Sequence, residues 1–310
     1  MKLIFCGTPL FAVPTLERLA AAGHELQLVV TQPDRPQGRG MELTAPPVKQ
    51  SALKLSLPIT QPEKIKKNEE FKSQLTALQP DAIIVVGYGR IIPSWMLTLP
   101  RFGNINVHAS LLPKYRGAAP IQWAIAEGKT VSGVTTMLLN EGLDTGDILL
   151  QKELPIQLED TAVTFAPRLA ELGADLLIET LRGLEAKTIT PIPQDHSQAT
   201  LAPILKKEDG LIDFNRTAPE IHNRLRGFQP WPGAYTHFRG KSLKFISARS
   251  DDTPSNLAPG ELRVGDEKLF VGCGSRTVLQ LLQVQPEGKK ALTAREFING
   301  YRPTAGERLS

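Results

Sequence analysis

Residues 81–87 read Asp-Ala-Ile-Ile-Val-Val-Gly, a nearly unbroken apolar run that ends in a glycine. Such a run is typical of a β-strand that is covered on both faces, as strands are in parallel sheets. Apolar segments of the same character occur at residues 2–6, 25–31 and 103–108, and helical patterns, such as that of residues 11–22, lie between them. This alternation of strands and helices predicts a doubly wound, mostly parallel α/β sheet.

The pattern changes in the last third of the chain. Residues 188–207 are rich in proline and polar residues and have no clear periodicity. Short apolar runs separated by turns follow them and predict an all-β barrel. The sequence therefore predicts a first domain at residues 1–187, a linker at residues 188–207 and a second domain at residues 208–310.

Composition narrows the class of protein. The chain has 310 residues, of which 41% are hydrophobic, but no apolar run reaches the roughly 18 residues that span a bilayer. Cys6 and Cys273 are too few for a disulfide framework and lack the spacing of a zinc site, so we expect a cytoplasmic protein without a metal. The last 105 residues carry 17 Lys and Arg against 12 Asp and Glu. That small positive excess fits a polyanionic partner, but it also fits an ordinary soluble domain.

The most informative motif lies at residues 104–117, Asn-Ile-Asn-Val-His-Ala-Ser-Leu-Leu-Pro-Lys-Tyr-Arg-Gly. Asn106 and His108 are two residues apart in a predicted strand, so their side chains share one face. The strand ends at the Ser-Leu-Leu-Pro turn, and open α/β sheets bind ligands at the carboxyl ends of their strands. An amide that stabilises an oxyanion and an imidazole that moves a proton suit the transfer of a carbonyl group. The pair can equally be a surface asparagine and a hydrogen-bonded histidine.

A carboxylate is predicted near this pair. Residues 140–147 read Asn-Glu-Gly-Leu-Asp-Thr-Gly-Asp between two predicted strands, 132–139 and 147–151, and we expect the two glycines to let the loop turn tightly around Asp144. Its carboxylate could orient the imidazole and stabilise the charged form of that ring. No serine or cysteine nucleophile is required if an amine attacks directly. The alternative is a hairpin turn whose aspartate only caps the backbone.

Together these motifs resemble those of the 10-formyltetrahydrofolate-dependent formyltransferases. The resemblance rests on Asn106, His108, Ser110–Gln122, Gly142–Asp144 and the loop Thr31–Gly40. The two long stretches are similar to the members of this family that act on methionyl-tRNA, and the similarity runs nearly the whole length of the chain. It implies a Rossmann-like catalytic domain followed by an OB-like β-barrel.

The resemblance also implies substrates and contact residues. The formyl donor would be 10-formyltetrahydrofolate and the acceptor initiator methionyl-tRNA, in a monomeric enzyme with no metal and no membrane partner. Asn106, His108 and Asp144 would be catalytic. Folate would be held by Tyr88, Ile91, Ser110, Leu111, Leu112, Pro113, Asn140, Gly142 and Leu143, and tRNA by Arg39, Lys206 and Lys207.

From the residues themselves, these contacts have simpler alternatives. Ile91 can be ordinary core, Arg39 can lie in a solvated loop, and Lys206 and Lys207 can form a solvated face. The cations and aromatics of residues 224–231 suit base stacking, but a tryptophan within Pro-Trp-Pro can also be a core residue.

Three other functions fit the same motifs. One is a formyltransferase for a small amine, such as a purine precursor or an amino sugar, which would not need the Arg39 loop or a basic β-module. Another is a folate-dependent hydrolase, with water as the acceptor. The third is a tRNA-binding protein without activity, against which the presence of Asn106, His108 and Asp144 argues.

Overall fold

The computed structural model of the chain describes residues 1–37, 42–251, 254–304 and 306–310. The chain divides into two compact units. The first unit comprises Met1–Ala118, Val131–Pro155 and Ala166–Ala202, and the second comprises Ala119–Thr130, Ile156–Phe165 and Pro203–Ser310.

The first unit is built on a seven-stranded sheet and a separate two-stranded ribbon. The strands are β1 (Lys2–Gly7), β2 (Glu25–Val30), β3 (Arg35–Gln37), β4 (Glu42–Thr44), β5 (Ile59–Thr60), β6 (Ala82–Val86), β7 (Asn104–His108), β8 (Val131–Leu138) and β9 (Ile148–Pro155). The strand order is β5-β2-β1-β6-β7-β8-β9, with β3 and β4 forming the ribbon. Within the large sheet, neighbouring strands from β5 to β7 pair in parallel, whereas β8 and β9 pair antiparallel.

The helices before residue 186 are α1 (Val13–Ala21), α2 (Pro47–Lys54), α3 (Glu69–Leu78), α4 (Ser94–Leu97), α5 (Pro120–Ala126) and α6 (Ala162–Glu185). Of these, α5 and the first residues of α6 belong to the second unit. Local sequence fixes their ends. The Asn68 side chain caps α3 by accepting the Phe71 N–H at 3.0 Å, and Pro120 occupies the first turn of α5, where its missing N–H costs no hydrogen bond.

The second unit contains a six-stranded antiparallel sheet. Its elements are α7 (Ala218–Gly227), β10 (Ala234–Phe238), β11 (Lys241–Asp251), β12 (Leu262–Gly265), β13 (Lys268–Gly272), β14 (Val278–Pro286), β15 (Leu292–Thr293) and α8 (Ala294–Tyr301). Capping boxes open both helices, Thr217 with Glu220 in α7 and Thr293 with Glu296 in α8. Phe238 and Phe297 pack with ring centroids 5.3 Å apart inside its core.

The predicted fold class is confirmed. All five residues of β6 and all five of β7 are buried, as the apolar run at residues 81–87 predicted for strands covered on both faces. The strand predicted at residues 147–151 is longer in the structure, where β9 reaches Pro155. Its outer half is largely exposed and polar, so no apolar run in the sequence marked it. The long loop after β2 also contains ordered structure, since β3 and β4 pair there.

Residues 188–202, within the segment predicted as a linker, hydrogen-bond to the rest of the first unit. Ile192 forms a β-bridge with Ile148, and Leu201 forms one with Arg116. The domain boundaries at residues 187 and 208 stay predictions.

Candidate active site

The site lies where the large sheet changes from parallel to antiparallel pairing. Strand β7 has β6 as its parallel neighbour and β8 as its antiparallel neighbour. Asn106 lies between Val85 and Met137, and His108 lies opposite Thr135 at the carboxyl end of the strand. Both polar side chains are buried. Alternation along the strand directs them to one face, as the sequence predicted.

The imidazole of His108 is held on both sides by oxygen acceptors. Its Nε2 donates to the carbonyl oxygen of Tyr115 at 2.9 Å. A carbonyl oxygen can only accept, so Nε2 carries a proton. The other ring nitrogen, Nδ1, lies 3.7 Å from Oδ2 of Asp144. Nδ1 therefore faces a carboxylate at the distance of an ion pair, slightly beyond that of a hydrogen bond.

The structure brings Asp144 to His108, and a backbone donor fixes the carboxylate. The N–H of Gly117 donates to Asp144 Oδ2 at 2.8 Å. The loop itself is ordered by Asn140, whose Oδ1 accepts the Gly142 N–H at 3.0 Å and the Thr145 hydroxyl at 2.8 Å. Such an Asx-type turn needs no support from a ligand.

The expectation that the two glycines allow the tight turn around Asp144 is wrong in one respect. The left-handed residue of this loop is Asp144 itself, with φ of 50°. Gly146 is required for another reason, because a Cβ at that position would collide with the carbonyl oxygen of Leu138. The aspartate therefore carries the strained backbone angle, and the glycine allows two chain segments to approach closely.

The amide of Asn106 has no hydrogen-bond partner among the residues that the structure describes. The residue is largely buried, but its amide atoms are still reached by solvent. Asn106 is therefore a donor that is available to a substrate at the same strand end as the imidazole.

The turn Ser110–Pro113 is held by β8 and β9. The hydroxyl of Thr135 donates to the Ser110 carbonyl at 2.7 Å and accepts the Leu112 N–H at 3.1 Å. Gln151 Nε2 donates to the Leu112 carbonyl at 2.8 Å and to Thr135 Oγ1 at 2.9 Å. The side chain of Leu111 lies directly over Gly133, where a Cβ would collide with it. The turn beside Asn106 and His108 is thus rigid before any ligand binds.

Among the predicted folate contacts, the Tyr88 side chain is buried, whereas those of Ile91 and Leu143 are exposed. Gly87 and Gly89 have φ of 55° and 75°, so this turn depends on glycine. The ring of Tyr88 is only 1% exposed and packs in the core, where burial raises the pKa of its hydroxyl. It cannot line an open surface in this conformation. Ile91 is 90% exposed and Leu143 is 66% exposed, so neither is ordinary core.

The candidate tRNA contacts are separated in the chain. Arg39 lies outside the residues that the structure describes, which include the flanking strands β3 and β4. At the base of that ribbon, hydrogen bonds from Lys49 and Gln61 lower the pKa of Asp34. Lys206 and Lys207 are exposed at the start of a short 3₁₀ helix in the second unit.

The aromatic residues after α7 do not behave as one group. Phe228 is fully buried, with the guanidinium of Arg224 4.9 Å above its ring. Arg226 is also buried and donates to the Asp160 carbonyl at 2.7 Å. Trp231, in contrast, is 55% exposed, so the alternative interpretation of a core tryptophan is wrong.

Sequence profiles of known families match both parts of the chain. The profile described as formyl transferase matches residues 1–181, and that described as the C-terminal domain of formyl transferase matches residues 204–302. The chain belongs to the formyl transferase family. This assignment confirms the resemblance on which the predicted chemistry rests.

Named formyl transferases are similar to the chain over its whole length. The methionyl-tRNA formyltransferase of Koribacter versatilis is 65% identical over 100% of this chain and 98% of its own. That of Acidobacterium capsulatum is 60% identical over 97% of this chain and 96% of its own.

Solved structures share the fold at lower identity. An N-formyltransferase from Helicobacter canadensis, in complex with folinic acid and dTDP-3-aminofucose, has a TM-score of 0.68 and 19% identity over 92% of this chain and 99% of its own. HypX from Aquifex aeolicus, in complex with tetrahydrofolic acid, has a TM-score of 0.63 and 17% identity over 99% of this chain and 48% of its own. At these identities the likeness concerns the fold alone.

Sequence reasoning missed four residues that shape this candidate site. Thr135 and Gln151 order the Ser110–Pro113 turn, and Arg116 and Gln194 contact each other behind the Asp144 loop. Arg116 lies in the motif of residues 104–117, but nothing in the neighbouring sequence indicates that its side chain is buried. Gln194 lies in the predicted linker, where nothing in the sequence marks it.

The described residues contain no group of three or more His, Cys, Asp or Glu side chains that could hold a metal ion. In the same part of the chain, no helix combines the length and the apolar character needed to cross a membrane.

Proposed function

We propose that the chain transfers the formyl group of 10-formyltetrahydrofolate to the α-amine of the methionine on initiator methionyl-tRNA, which gives N-formylmethionyl-tRNA. The observation that carries this proposal is the combined geometry at the end of β7. There, the unpartnered Asn106 amide shares a strand end with an imidazole that faces Tyr115 and Asp144. The 65% identity with a named methionyl-tRNA formyltransferase supports the choice of acceptor.

The residues present fit a folate formyl donor. An unpartnered amide donor suits a formyl oxygen, and the exposed apolar side chains of Ile91 and Leu143 suit a flat ring system. Leu111 and Pro113 would contact the same ligand, as would Asn140 and Gly142, whereas Ser110 and Leu112 are buried and would contribute through their backbone. We infer that Tyr88 contributes only through its backbone, because its ring is buried.

Folate supplies a formyl group bound to its N10 nitrogen, and the chain's residues assist the exchange of that bond. Negative charge develops on the formyl oxygen when the amine attacks the formyl carbon, and the Asn106 amide donates a hydrogen bond to it. His108 donates as an imidazolium or relays the proton that leaves the amine, and that proton ends on N10 as the old carbon–nitrogen bond breaks. Asp144 holds His108 in orientation and favours its charged form.

Contacts to tRNA complete the proposal. Arg39 would reach the acceptor arm, with its guanidinium suited to phosphate. Lys206 and Lys207 would add weaker contacts to the phosphate backbone of the tRNA.

We also propose a monomeric, cytoplasmic enzyme. Size-exclusion chromatography with light scattering tests the monomer.

The test is a single comparison of acceptors with the purified protein. Formyl transfer from 10-formyltetrahydrofolate is measured with charged initiator tRNA, with a small amine such as an amino sugar nucleotide, and with no acceptor. We expect rapid transfer only to the charged tRNA. Equal or faster transfer to the small amine, or release of formate without an acceptor, would contradict the proposal.

A further inference from the structure

The segment Ile192–Ala202 crosses both loops that meet at His108. Its start pairs with Ile148, just after the Asp144 loop, through hydrogen bonds of 2.8 and 2.9 Å. Near its end, Thr200 accepts the Tyr115 N–H on its hydroxyl at 2.8 Å and the Arg116 N–H on its carbonyl at 2.9 Å. The two oxygens that face His108 therefore belong to loops that this one segment ties down.

Gln194 makes the most specific contacts of this segment. Its Nε2 donates to the carbonyl oxygens of Asp144, at 2.9 Å, and of Gly146, at 2.7 Å. Its Oε1 accepts from Arg116 Nε at 3.1 Å and from Arg116 Nη2 at 2.6 Å. All the hydrogen-bonding capacity of the side-chain amide is thereby used in a buried position.

Arg116 strengthens this arrangement. Its buried guanidinium lies within hydrogen-bond distance of Gln194 and of His196 Nδ1, at 3.0 Å, and no carboxylate of the described residues pairs with it. A cation on the oxygen of an amide polarises that amide and makes its NH₂ a better donor. The charge of Arg116 thus reinforces the hydrogen bonds from Gln194 to the Asp144 loop.

The Asp144 loop needs such support. Asp144 has φ of 50°, an angle that is unfavourable for a residue other than glycine and persists only where neighbours enforce it. Gly117 holds its carboxylate and Gln194 holds its backbone carbonyl. Relaxation of that angle would turn the carboxylate away from His108.

We propose that Gln194 is a positioning residue for the reaction, which keeps the Asp144 carboxylate at its distance from His108. This proposal rests on the proposed catalytic role of Asp144. It assigns to the apparent linker a direct part in ordering the active site.

The first test replaces Gln194 with a side chain of similar size that cannot hydrogen-bond. We expect Gln194→Met to lower the single-turnover rate of formyl transfer to charged tRNA by about 10- to 100-fold, since small displacements of catalytic groups have effects of this size. KM for both substrates should stay within about twofold of the wild-type values, as expected when ground-state binding is unchanged.

The matched control is Gln198→Met. Gln198 is exposed, and among the described residues its side-chain amide hydrogen-bonds only to Asp195, so the rate of this variant should equal that of wild type.

The second test asks whether Gln194 acts through Asp144. In a double-mutant cycle, Gln194→Met should lower the rate of formyl transfer at most about threefold in an Asp144→Asn background. In that background the carboxylate that Gln194 positions is already absent. The same loss in both backgrounds would mean a merely structural role and would overturn the proposal. Should Gln194→Met not fold, Gln194→Glu serves instead, since it still accepts from Arg116 but sets an oxygen against two carbonyls.

The outcomes separate this proposal from the function on which it rests. A wild-type rate for Gln194→Met, with a reduced rate for Asp144→Asn, would refute the positioning role alone. An unchanged rate for Asp144→Asn would refute the proposed catalytic role of that aspartate.

Discussion

Replacement of Asp144 by asparagine should slow formyl transfer about a hundredfold and leave the fold intact. One oxygen, Oδ2, both accepts the Gly117 N–H at 2.8 Å and lies 3.7 Å from His108 Nδ1. An asparagine oxygen can occupy that place, because the NH₂ group there would oppose the Gly117 donor. The substitution therefore removes the charge and leaves the hydrogen bond to Gly117.

The magnitude follows from the distance. Two unit charges 3.7 Å apart attract by about 4.5 kcal/mol at an effective dielectric constant of about 20. The amide dipole retains part of that attraction, so we expect a loss of about 3 kcal/mol when the imidazole is charged in the transition state. That loss corresponds to roughly a hundredfold in rate, at about 1.4 kcal/mol per factor of ten.

The assay is rapid-quench formyl transfer in a single turnover, with enzyme in excess over charged tRNA and with folate saturating. Urea unfolding of wild type and variant serves as the control for folding. A rate within about threefold of wild type, less than 1 kcal/mol in barrier height, would refute the view that the carboxylate stabilises the charged ring.

The buried thiols, one histidine and one loop arginine give the remaining predictions. Burial raises the pKa of Cys273 to about 12 and raises that of Cys6 further, so a thiol reagent should modify neither at neutral pH until the protein is denatured; rapid labelling of the native protein would contradict this. Burial, and to a lesser extent the charge of Arg226, lowers the pKa of His222 in the folded protein. As the pH drops below about 6.5, the unfolded chain therefore binds a proton that the folded protein does not, and the free energy of unfolding falls. In urea unfolding, His222→Gln should lose less stability than wild type between about pH 7.5 and 5.5, and an equal loss would exclude this contribution. Arg39→Ala should raise KM for charged tRNA several-fold and leave KM for folate unchanged, and an unaltered response to tRNA concentration would contradict its proposed role.

The large sheet could be predicted because its central strands carry their own signal. Strands β6 and β7 are buried throughout, so an unbroken apolar run marks each of them. The outer half of β9 is exposed and polar, and the ribbon of β3 and β4 is short, so neither stands out from a loop in the sequence.

The candidate site was predictable where its residues lie in compact motifs. Asn106 and His108 share a strand, and the spacing predicted their common face. The left-handed angle of Asp144 was not predictable, because two nearby glycines are the more usual carriers of such angles. The contact of Arg116 with Gln194 joins residues 78 positions apart, and only tertiary structure brings them together.

The most direct measurement of the central claim is the single-turnover formyl transfer rate of Asn106→Ala with saturating charged tRNA and 10-formyltetrahydrofolate. Loss of one oxyanion donor costs about 3–4 kcal/mol in comparable sites, so we predict a rate lower by roughly a hundredfold or more, with folate affinity nearly unchanged. Full activity in a correctly folded Asn106→Ala variant would contradict the claim that this amide stabilises the developing charge.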